Sequence, residues 1–267
     1  MVERASFWHS GIPDCVNAMV SWIEGADRRP LPGLHGTGFF VRRQRSVAFV
    51  TCRHCLGAPD ADYHEVLRQL AIPRHGVNRP VGRSIRDWVK FDTYAIPRVN
   101  WNHEAFFNDG DLDLAVLKVS AVDDRITRSL LARSAKLPPT GEWLEQVFVA
   151  NGEGEIAGLV AVGFPRSCEG TSIDYETGDV ELGRVKIGGR VTGRGDYPHT
   201  WRIEFDNAQT QPSDLDGMSG APVFLHWKRP EGPTFALAGM MIRGTFPVGQ
   251  FMDVSWYVAA LNQLLES

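Results

Sequence analysis

The chain has 267 residues and a net charge of −4, from 28 Lys and Arg residues against 32 Asp and Glu residues. Apolar residues make up 43% and charged residues 22% of it, the balance of an ordinary globular protein. No basic run of the kind that binds nucleic acid is present, and no stretch reaches the roughly 18 apolar residues of a membrane helix. We therefore expect neither a nucleic-acid nor a membrane partner, and a core large enough for one large domain or two small ones.

Residues 1–30 are predicted to form a helical extension. Residues 1–14 carry charges and a proline and lack the apolar core of a signal peptide, so we expect a cytoplasmic protein. From 13 to 25, apolar side chains recur at helical spacing, which predicts a short amphipathic helix packed against the body of the protein. The positions that carry this pattern are Cys15, Val16, Met19, Trp22 and Ile23.

The next segment is predicted to begin with a β-hairpin. Residues 36–50 have the pattern of a strand, a turn at 43–45 and a second strand, which ends shortly before His54. Farther on, a helical stretch is predicted near 61–70 and a strand near 84–94.

An apolar run follows Asp113. Residues Leu114 to Val119 are almost all apolar, which is typical of a strand buried on both faces. Residues 122–133 have the pattern of a connector with a helical turn, and 135–142, with two adjacent prolines, are typical of a crossing between two structural units.

The second half of the chain is rich in predicted strands. They are short and separated by turns with Gly, Pro and Asp, which favours a β-barrel over an α/β fold. The predicted strands are 146–150, 156–164, 179–187, 200–205, 221–226 and 235–242. From Asp253 onward the pattern predicts a C-terminal helix with Asp253 as its N-cap.

The most informative stretch surrounds Ser219, which lies in the sequence Gly217-Met218-Ser219-Gly220-Ala221-Pro222. A hydroxyl that attacks a peptide bond must be exposed on a tight turn, with a base nearby and backbone N–H groups aimed at the developing oxyanion. Gly217 and Gly220 allow the backbone conformations that such a turn needs. Ser219 is therefore the candidate nucleophile. An ordinary Gly-Ser turn before a strand is the alternative that this motif alone leaves open.

Two upstream residues are candidates for its partners. His54 follows a predicted strand, and Asp113 stands at the start of another, so the chain order is His, Asp, Ser, one of the known orders of a catalytic triad. Asp109 and Asp111 compete with Asp113 for the third place. The remaining histidines of this region lack the strand-end context and are predicted to be surface or loop residues: His64, His75 and His103.

These motifs resemble the chymotrypsin/trypsin-like serine peptidases, above all the intracellular bacterial branch that includes the Deg-type proteases. The matching patterns, in chain order, are Gly36-Thr37-Gly38-Phe39, Thr51-x-x-His54-Cys55, Asp113-Leu114-Ala115-Val116-Leu117 and Gly217-x-Ser219-Gly220-x-Pro222. The resemblance implies an all-β, two-barrel fold. With it we predict the helical extension 1–30, a first β-barrel at 31–134, a second at 135–250, and a C-terminal helix at 251–267 packed on the second barrel.

The resemblance also implies the roles of the site residues. His54 would act as the base, Asp113 would orient it, and the backbone N–H groups of Gly217 and Ser219 would form the oxyanion hole. Secreted relatives are activated by a new N-terminus that binds an aspartate before the nucleophile, but Met218 stands there and no Ile-Val-Gly-Gly-like segment occurs. The oxyanion hole is therefore expected to be preformed, or ordered by an activating protein partner.

The specificity pocket is less well determined. In the family, its base lies six residues before the nucleophile, which is Ser213 here, so no strong preference for Lys or Arg is predicted. Asp214 and Asp216 would reverse that expectation if the loop register differed by one. Arg243 and Gly244 fall where the wall of the cleft ends, and Arg243 would either favour acidic residues or point into solvent.

The cysteines present a second local motif. Cys55 directly follows His54 as in secreted relatives, but the strand that would carry its disulfide partner has none, so we expect a free, partly buried thiol. Cys52-x-x-Cys55 also fits zinc or redox chemistry, although Cys15 and Cys168 are single and no second pair completes a four-ligand site. We predict no metal and no cofactor.

The sequence thus predicts a serine endopeptidase that acts on protein or peptide substrates. Constitutive activity and latency until a partner orders the loops both remain open. A non-catalytic module that uses the same fold to bind a peptide or a partner is the alternative, because fold does not determine function. A cysteine or metal hydrolase is the least favoured hypothesis.

Overall fold

The computed structural model describes residues 7–24, 30–58, 60–73, 88–97, 112–120, 123–139, 141, 143–150, 156–167, 172–174, 179–197, 199–206, 214–228 and 232–266. The strands are β1 Val16–Glu24, β2 Pro30–Arg43, β3 Ser46–Thr51, β4 Leu70–Pro73, β5 Trp88–Val89, β6 Phe91–Ala95, β7 Ala115–Val119, β8 Ala135–Lys136, β9 Ile156–Gly163, β10 Ser172–Asp174, β11 Asp179–Glu181, β12 Val185–Arg194, β13 Thr200–Phe205, β14 Pro222–Trp227, β15 Thr234–Thr245 and β16 Val248–Asp253. The helices are α1 Tyr63–Gln69, α2 Asp124–Arg133, α3 Trp143–Ala150 and α4 Val254–Glu266, with a short 3₁₀ helix at Arg53–Leu56.

The N-terminal half forms an eight-stranded sheet in the order β5-β4-β1-β2-β3-β7-β6, with β8 paired to β2. The hairpin β2–β3 is formed as predicted, and its turn places Gln44 at a φ of 53°. Phenylalanines fill the core of this half, and the rings of Phe40 and Phe49 lie 5.1 Å apart, edge to face. Strands β3 and β7 pair directly, which brings two segments that are distant in sequence to the same end of the sheet.

The C-terminal half is a closed barrel in the order β12-β13-β16-β15-β14-β9. All of its strand pairs are antiparallel, and apolar side chains such as Phe224, Leu237 and Phe251 are fully buried inside the protein. The predicted all-β, two-barrel fold is confirmed. Among the described residues, no helix is long and apolar enough to cross a membrane.

The predicted N-terminal helix is wrong. Residues Val16–Glu24 form strand β1, which pairs with β2 on one side and with β4 on the other. Every residue from 16 to 21 is buried, polar ones included, so both faces of the strand are covered. A short apolar run that is buried all round fits helical and extended spacing equally well, and only the neighbouring strands decide between them.

A second correction concerns residues 146–150, which were predicted as a strand and lie in helix α3. Trp143, Leu144 and Val147 are buried, and their spacing puts them on one face of the helix. The strand predicted at 179–187 is divided between β11 and β12, and β16 was not predicted.

Strand pairing also reaches outside the predicted domain bounds. β1 lies before residue 31, β8 follows residue 134, and β16 runs past residue 250. Helix α4 begins after Asp253, whose Oδ1 accepts the N–H of Ser255 at 2.8 Å, so the predicted N-cap is confirmed. The helix contacts β15 and β16 of the barrel and also β3 and β7 of the N-terminal sheet.

Candidate active site

His54 and Asp113 are brought together by the pairing of β3 with β7. Thr51 at the end of β3 lies opposite Ala115 at the start of β7, so the residues just beyond these ends are neighbours although 59 positions separate them. The Nδ1 of His54 lies 2.8 Å from the Oδ2 of Asp113, and the backbone N–H of His54 donates to Oδ1 at 3.1 Å. Two hydrogen bonds therefore fix both the position and the ring orientation of the histidine.

Burial and charge act in opposite directions on His54. Burial lowers the pKa of the imidazole, but the hydrogen bond and the charge of Asp113, with a contribution from Cys55, together raise it above the ordinary 6.5. The side chain of Asp113 is 10% exposed, whereas that of His54 is 43% exposed. Because Asp113 accepts from Nδ1–H, the other ring nitrogen, Nε2, is the one that can take up a proton.

Ser219 lies on a tight turn that leads into β14, and this turn depends on its glycines. Gly217 has a φ of 89° and Gly220 a φ of 85°, both in the left-handed region. A Cβ on Gly220 would lie 1.9 Å from the carbonyl oxygen of Thr37, so that position accepts no larger residue without a backbone shift.

The peptide groups before Gly217 and Ser219 are held in defined orientations. The carbonyl of Asp216 accepts the N–H of Arg166 at 2.8 Å, and the carbonyl of Met218 accepts the N–H of Ala221 at 2.9 Å. In a trans peptide the N–H points away from the carbonyl, so the N–H groups of Gly217 and Ser219 face the opposite side. Within the part of the chain that the structure describes, neither of them donates to a protein acceptor.

The hydroxyl of Ser219 donates to the carbonyl of Ile242 at 3.4 Å. No hydrogen bond among the described residues joins it to His54, although both side chains line one cavity of about 710 Å³. Bonds between nucleophile and base commonly tighten only when substrate binds. The His–Asp half of the constellation is therefore assembled, and the Ser219 hydroxyl would have to exchange its bond to Ile242 for one to His54.

Comparison with known proteins decides the family. The sequence profile described as "Trypsin-like peptidase domain" matches residues 36–228, which is most of the chain. The chain belongs to the trypsin-like peptidase family. None of the curated proteins compared with it matches.

Solved structures agree with the fold of a trypsin-like peptidase. The scabies mite inactivated protease paralogue S-I1 is 13% identical with a TM-score of 0.51, and the match covers 95% of this chain and 94% of that chain. The scabies mite inactivated protease paralogue S-D1 is 11% identical with a TM-score of 0.52, covering 95% and 93%. Identities this low establish a similar fold only.

The cavity of this trypsin-like peptidase has charged walls. It is lined by His54, Asp113, Tyr197, Asp214, Leu215, Asp216, Ser219, Ile242, Arg243, Gly244 and Thr245. Arg243 forms an ion pair with Asp196 at 2.6 Å and donates to the Tyr197 hydroxyl at 2.8 Å, so the guanidinium is tied to a neighbouring loop. Arg243 and Gly244 thus lie where the sequence places the cleft wall, while Ser213 lies outside the described residues.

The cavity is also lined by two carboxylates, those of Asp214 and Asp216. Asp216 pairs with Arg166 at 3.2 Å. Asp214 accepts hydrogen bonds from the N–H of Asp216 at 3.0 Å and from the hydroxyl of Ser167 at 3.2 Å. Among the described residues it forms no ion pair, which leaves its charge uncompensated in the cavity.

Cys52 and Cys55 are free and buried, as is Cys15, and Cys168 lies outside the described residues. The thiol of Cys52 donates to the Met241 carbonyl at 3.2 Å and that of Cys55 to the Ser219 carbonyl at 3.6 Å. The free thiol predicted for Cys55 is confirmed.

Cys52, His54 and Asp113 also place one potential metal ligand each within 4.8 Å of one another, but two of these atoms already share the His–Asp hydrogen bond. Three ligands of this kind are fewer than a structural zinc site uses.

The structure adds two residues that the sequence reasoning left without a role. The hydroxyl of Thr37 donates to the carbonyl of Gly217 at 2.7 Å, and Arg166 contacts the same loop through its backbone and its side chain. Thr37 lies inside one of the family patterns, Gly36-Thr37-Gly38-Phe39, which was the only signal available for it. Nothing in the local sequence around Arg166 indicates that contact.

Proposed function

We propose that the protein is a serine endopeptidase that hydrolyses peptide bonds through a Ser219–His54–Asp113 triad. The observation that carries the proposal is the conjunction of an ordered His54–Asp113 pair and the Ser219 hydroxyl in one cavity. Among the described residues, the N–H groups of Gly217 and Ser219 donate to no protein acceptor, and an oxyanion hole requires such free donors.

In this mechanism Ser219 Oγ attacks the scissile carbonyl carbon while His54 Nε2 takes the hydroxyl proton. The N–H groups of Gly217 and Ser219 stabilise the oxyanion. His54 then donates its proton to the leaving amine, which leaves an acyl-enzyme. Water, deprotonated by His54, hydrolyses the ester and restores Ser219. Asp113 keeps Nδ1 protonated throughout and stabilises the transient imidazolium.

The cavity supports a preference for basic side chains in the substrate. Its lining combines apolar groups with the carboxylate of Asp214, which forms no ion pair among the described residues, while the nearby Arg243 is paired with Asp196, a carboxylate that Arg202 also contacts at 2.9 Å. A lysine or arginine side chain would pair with that carboxylate. This proposal departs from the expectation based on Ser213 and takes up the alternative that involved Asp214.

A non-catalytic binding module is the second candidate function. Two observations favour it: the described neighbours in fold are inactivated protease paralogues, and the Ser219 hydroxyl is bonded to Ile242 rather than to His54. Latency that an activating partner relieves would also fit the open Ser–His contact. The Deg-type branch and the cytoplasmic location remain predictions from the sequence.

Labelling with a fluorophosphonate tests the proposal. Such a reagent phosphonylates an activated serine with loss of fluoride, and intact mass spectrometry counts the adducts. We expect one adduct on the wild-type chain and none on Ser219→Ala, with a peptide map placing it on Ser219. Labelling of both proteins, or of neither, would contradict a constitutive triad, and the latter result would favour the binding module.

A further inference from the structure

The hydroxyl of Thr37 makes a bridge between the two halves of the protein. Thr37 lies on β2 and is fully buried. Its Oγ1 donates to the carbonyl of Gly217 at 2.7 Å and accepts the N–H of Phe164 at 3.1 Å. A hydroxyl has one proton, and the incoming N–H occupies a lone pair, so the proton is directed at Gly217.

The same residue is fixed by its own backbone. The N–H of Thr37 donates to the carbonyl of Ser219 at 3.0 Å, and its carbonyl accepts the hydroxyl of Thr51 at 2.8 Å. The bond to Ser219 ties the same strand to the nucleophile turn at a second point. Because Thr37 also lies opposite Ala18 in the pairing of β2 with β1, its hydroxyl is held on the N-terminal sheet and gives the nucleophile turn of the barrel a fixed point of contact.

Gly217 needs such a fixed point because its backbone is intrinsically free to rotate. Glycine populates positive and negative φ about equally, so nothing in the residue itself keeps its N–H aimed at the site. Two anchors flank it: the Arg166 N–H holds the preceding carbonyl at 2.8 Å, and the Thr37 hydroxyl holds the following one at 2.7 Å. Together they fix both peptide planes of the residue.

We propose that Thr37 is a positioning residue whose hydroxyl holds the N–H of Gly217 in the orientation that binds the oxyanion. The inference rests on the proposed function and assigns to the N-terminal sheet a part in building the oxyanion hole. Thr37→Val keeps the shape and the backbone N–H but removes the bridge. It leaves the Gly217 carbonyl and the Phe164 N–H without their shared partner, and the loop can then turn to find other partners.

The test compares Thr37→Val and Thr37→Ser with the wild-type chain. Ser134→Ala is the matched control, because Ser134 is also buried and donates to a carbonyl at 2.6 Å, but that carbonyl belongs to Leu130 of helix α2 and not to the nucleophile turn. The readout is the second-order rate constant for fluorophosphonate labelling of Ser219, measured against pH. The phosphoryl oxygen of this probe gains charge in the transition state as a peptide carbonyl does.

Loss of one oxyanion donor costs about 100- to 1000-fold in rate, and a misoriented one somewhat less, so we expect Thr37→Val to label about 10- to 100-fold more slowly. Thr37→Ser should recover most of the rate. The apparent pKa of the pH profile should stay unchanged, because the His54–Asp113 pair is not touched. A wild-type rate in Thr37→Val, failure of Thr37→Ser to rescue, a shifted apparent pKa, or an equal loss in Ser134→Ala would each overturn the inference.

A second measurement separates this inference from the proposed function. If the wild-type chain does not label at all, the peptidase proposal fails, and the NMR resonance of the Gly217 amide still tests the role of Thr37. A shift of that resonance in Thr37→Val that Thr37→Ser reverses would show that the hydroxyl holds this peptide. An unchanged resonance would overturn the inference in either case.

Discussion

Replacing Gly217 by alanine should reduce catalysis far more than it reduces stability. Gly217 has a φ of 89°, where a residue with a Cβ is strained by about 1–2 kcal/mol. The Cβ would also lie 2.5 Å from the carbonyl oxygen of Phe164 and 3.2 Å from the N of Arg166, and both are backbone atoms. The turn must therefore move rather than a side chain.

The size of the movement sets the expected loss. Real Cβ atoms essentially never come within 3.0 Å of such a neighbour, so the loop has to shift by at least a few tenths of an ångström. That shift displaces the Gly217 N–H, one of the two proposed oxyanion donors. Loss of such a donor lowers kcat by about 100- to 1000-fold, and a displacement of about 1 Å has a cost near the lower figure. Because the required shift is smaller than about 1 Å, we expect a labelling rate about 10- to 100-fold below that of the wild-type chain.

The control is Gly141→Ala. Gly141 has a φ of 105° but a Cβ there would meet nothing within 4 Å, so this variant carries the backbone strain without the collision. The assay is fluorophosphonate labelling of Ser219 together with urea unfolding of both variants. Gly217→Ala should lose more stability than Gly141→Ala because of the collision, and only Gly217→Ala should lose labelling. A wild-type labelling rate in Gly217→Ala, or an equal loss in Gly141→Ala, would refute the reasoning.

Two further predictions concern charge. Asp113 raises the pKa of His54 above 6.5, so the His54–Asp113 pair contributes its full stabilisation of the folded state below pH about 6.5. This stabilisation is lost as the pH rises through the pKa of His54 in the folded state, where His54 loses its proton and can act as a base. Labelling should therefore increase with pH with an apparent pKa above 6.5 while the free energy of unfolding decreases over the same interval; an apparent pKa at or below 6.5 would contradict this. Asp214→Asn should lower kcat/KM for peptides with Lys or Arg before the scissile bond by about 10- to 100-fold and leave peptides with Leu there within about twofold, since it removes a charged hydrogen-bond partner. Equal effects on both peptide classes would contradict a basic pocket.

The local sequence predicted the reacting groups because their chemistry is local. Ser219 needs a tight turn, and Gly217 and Gly220 mark one; in the structure both glycines adopt left-handed φ values. His54 follows one apolar run and Asp113 precedes another, and the pairing of β3 with β7 brings the Nδ1 of His54 to 2.8 Å from the Oδ2 of Asp113. The C-terminal helix was also predictable from the local sequence, because its N-cap, Asp253, directly precedes it.

The N-terminal strand was not predictable in the same way. Residues 16–21 of β1 are all buried, so their apolar spacing carries no information about period. Helix α3 was missed for a related reason: it is short, and Val147-Phe148-Val149-Ala150 is an apolar run that also suits a strand. In both segments the neighbours in space, and not the residues themselves, select the conformation.

By itself, then, the sequence determined the class of fold, the three proposed catalytic residues and the glycines of the turn at Ser219, since each depends on spacing over a few positions. Only the tertiary structure decided which contacts hold the turn at Gly217 and which charges face the cavity. Thr37 and Gly217 are 180 residues apart, and the ion pair of Arg243 with Asp196 spans 47 positions. Contacts of that range arise from strand pairing and barrel closure, and no local pattern encodes which two side chains will meet.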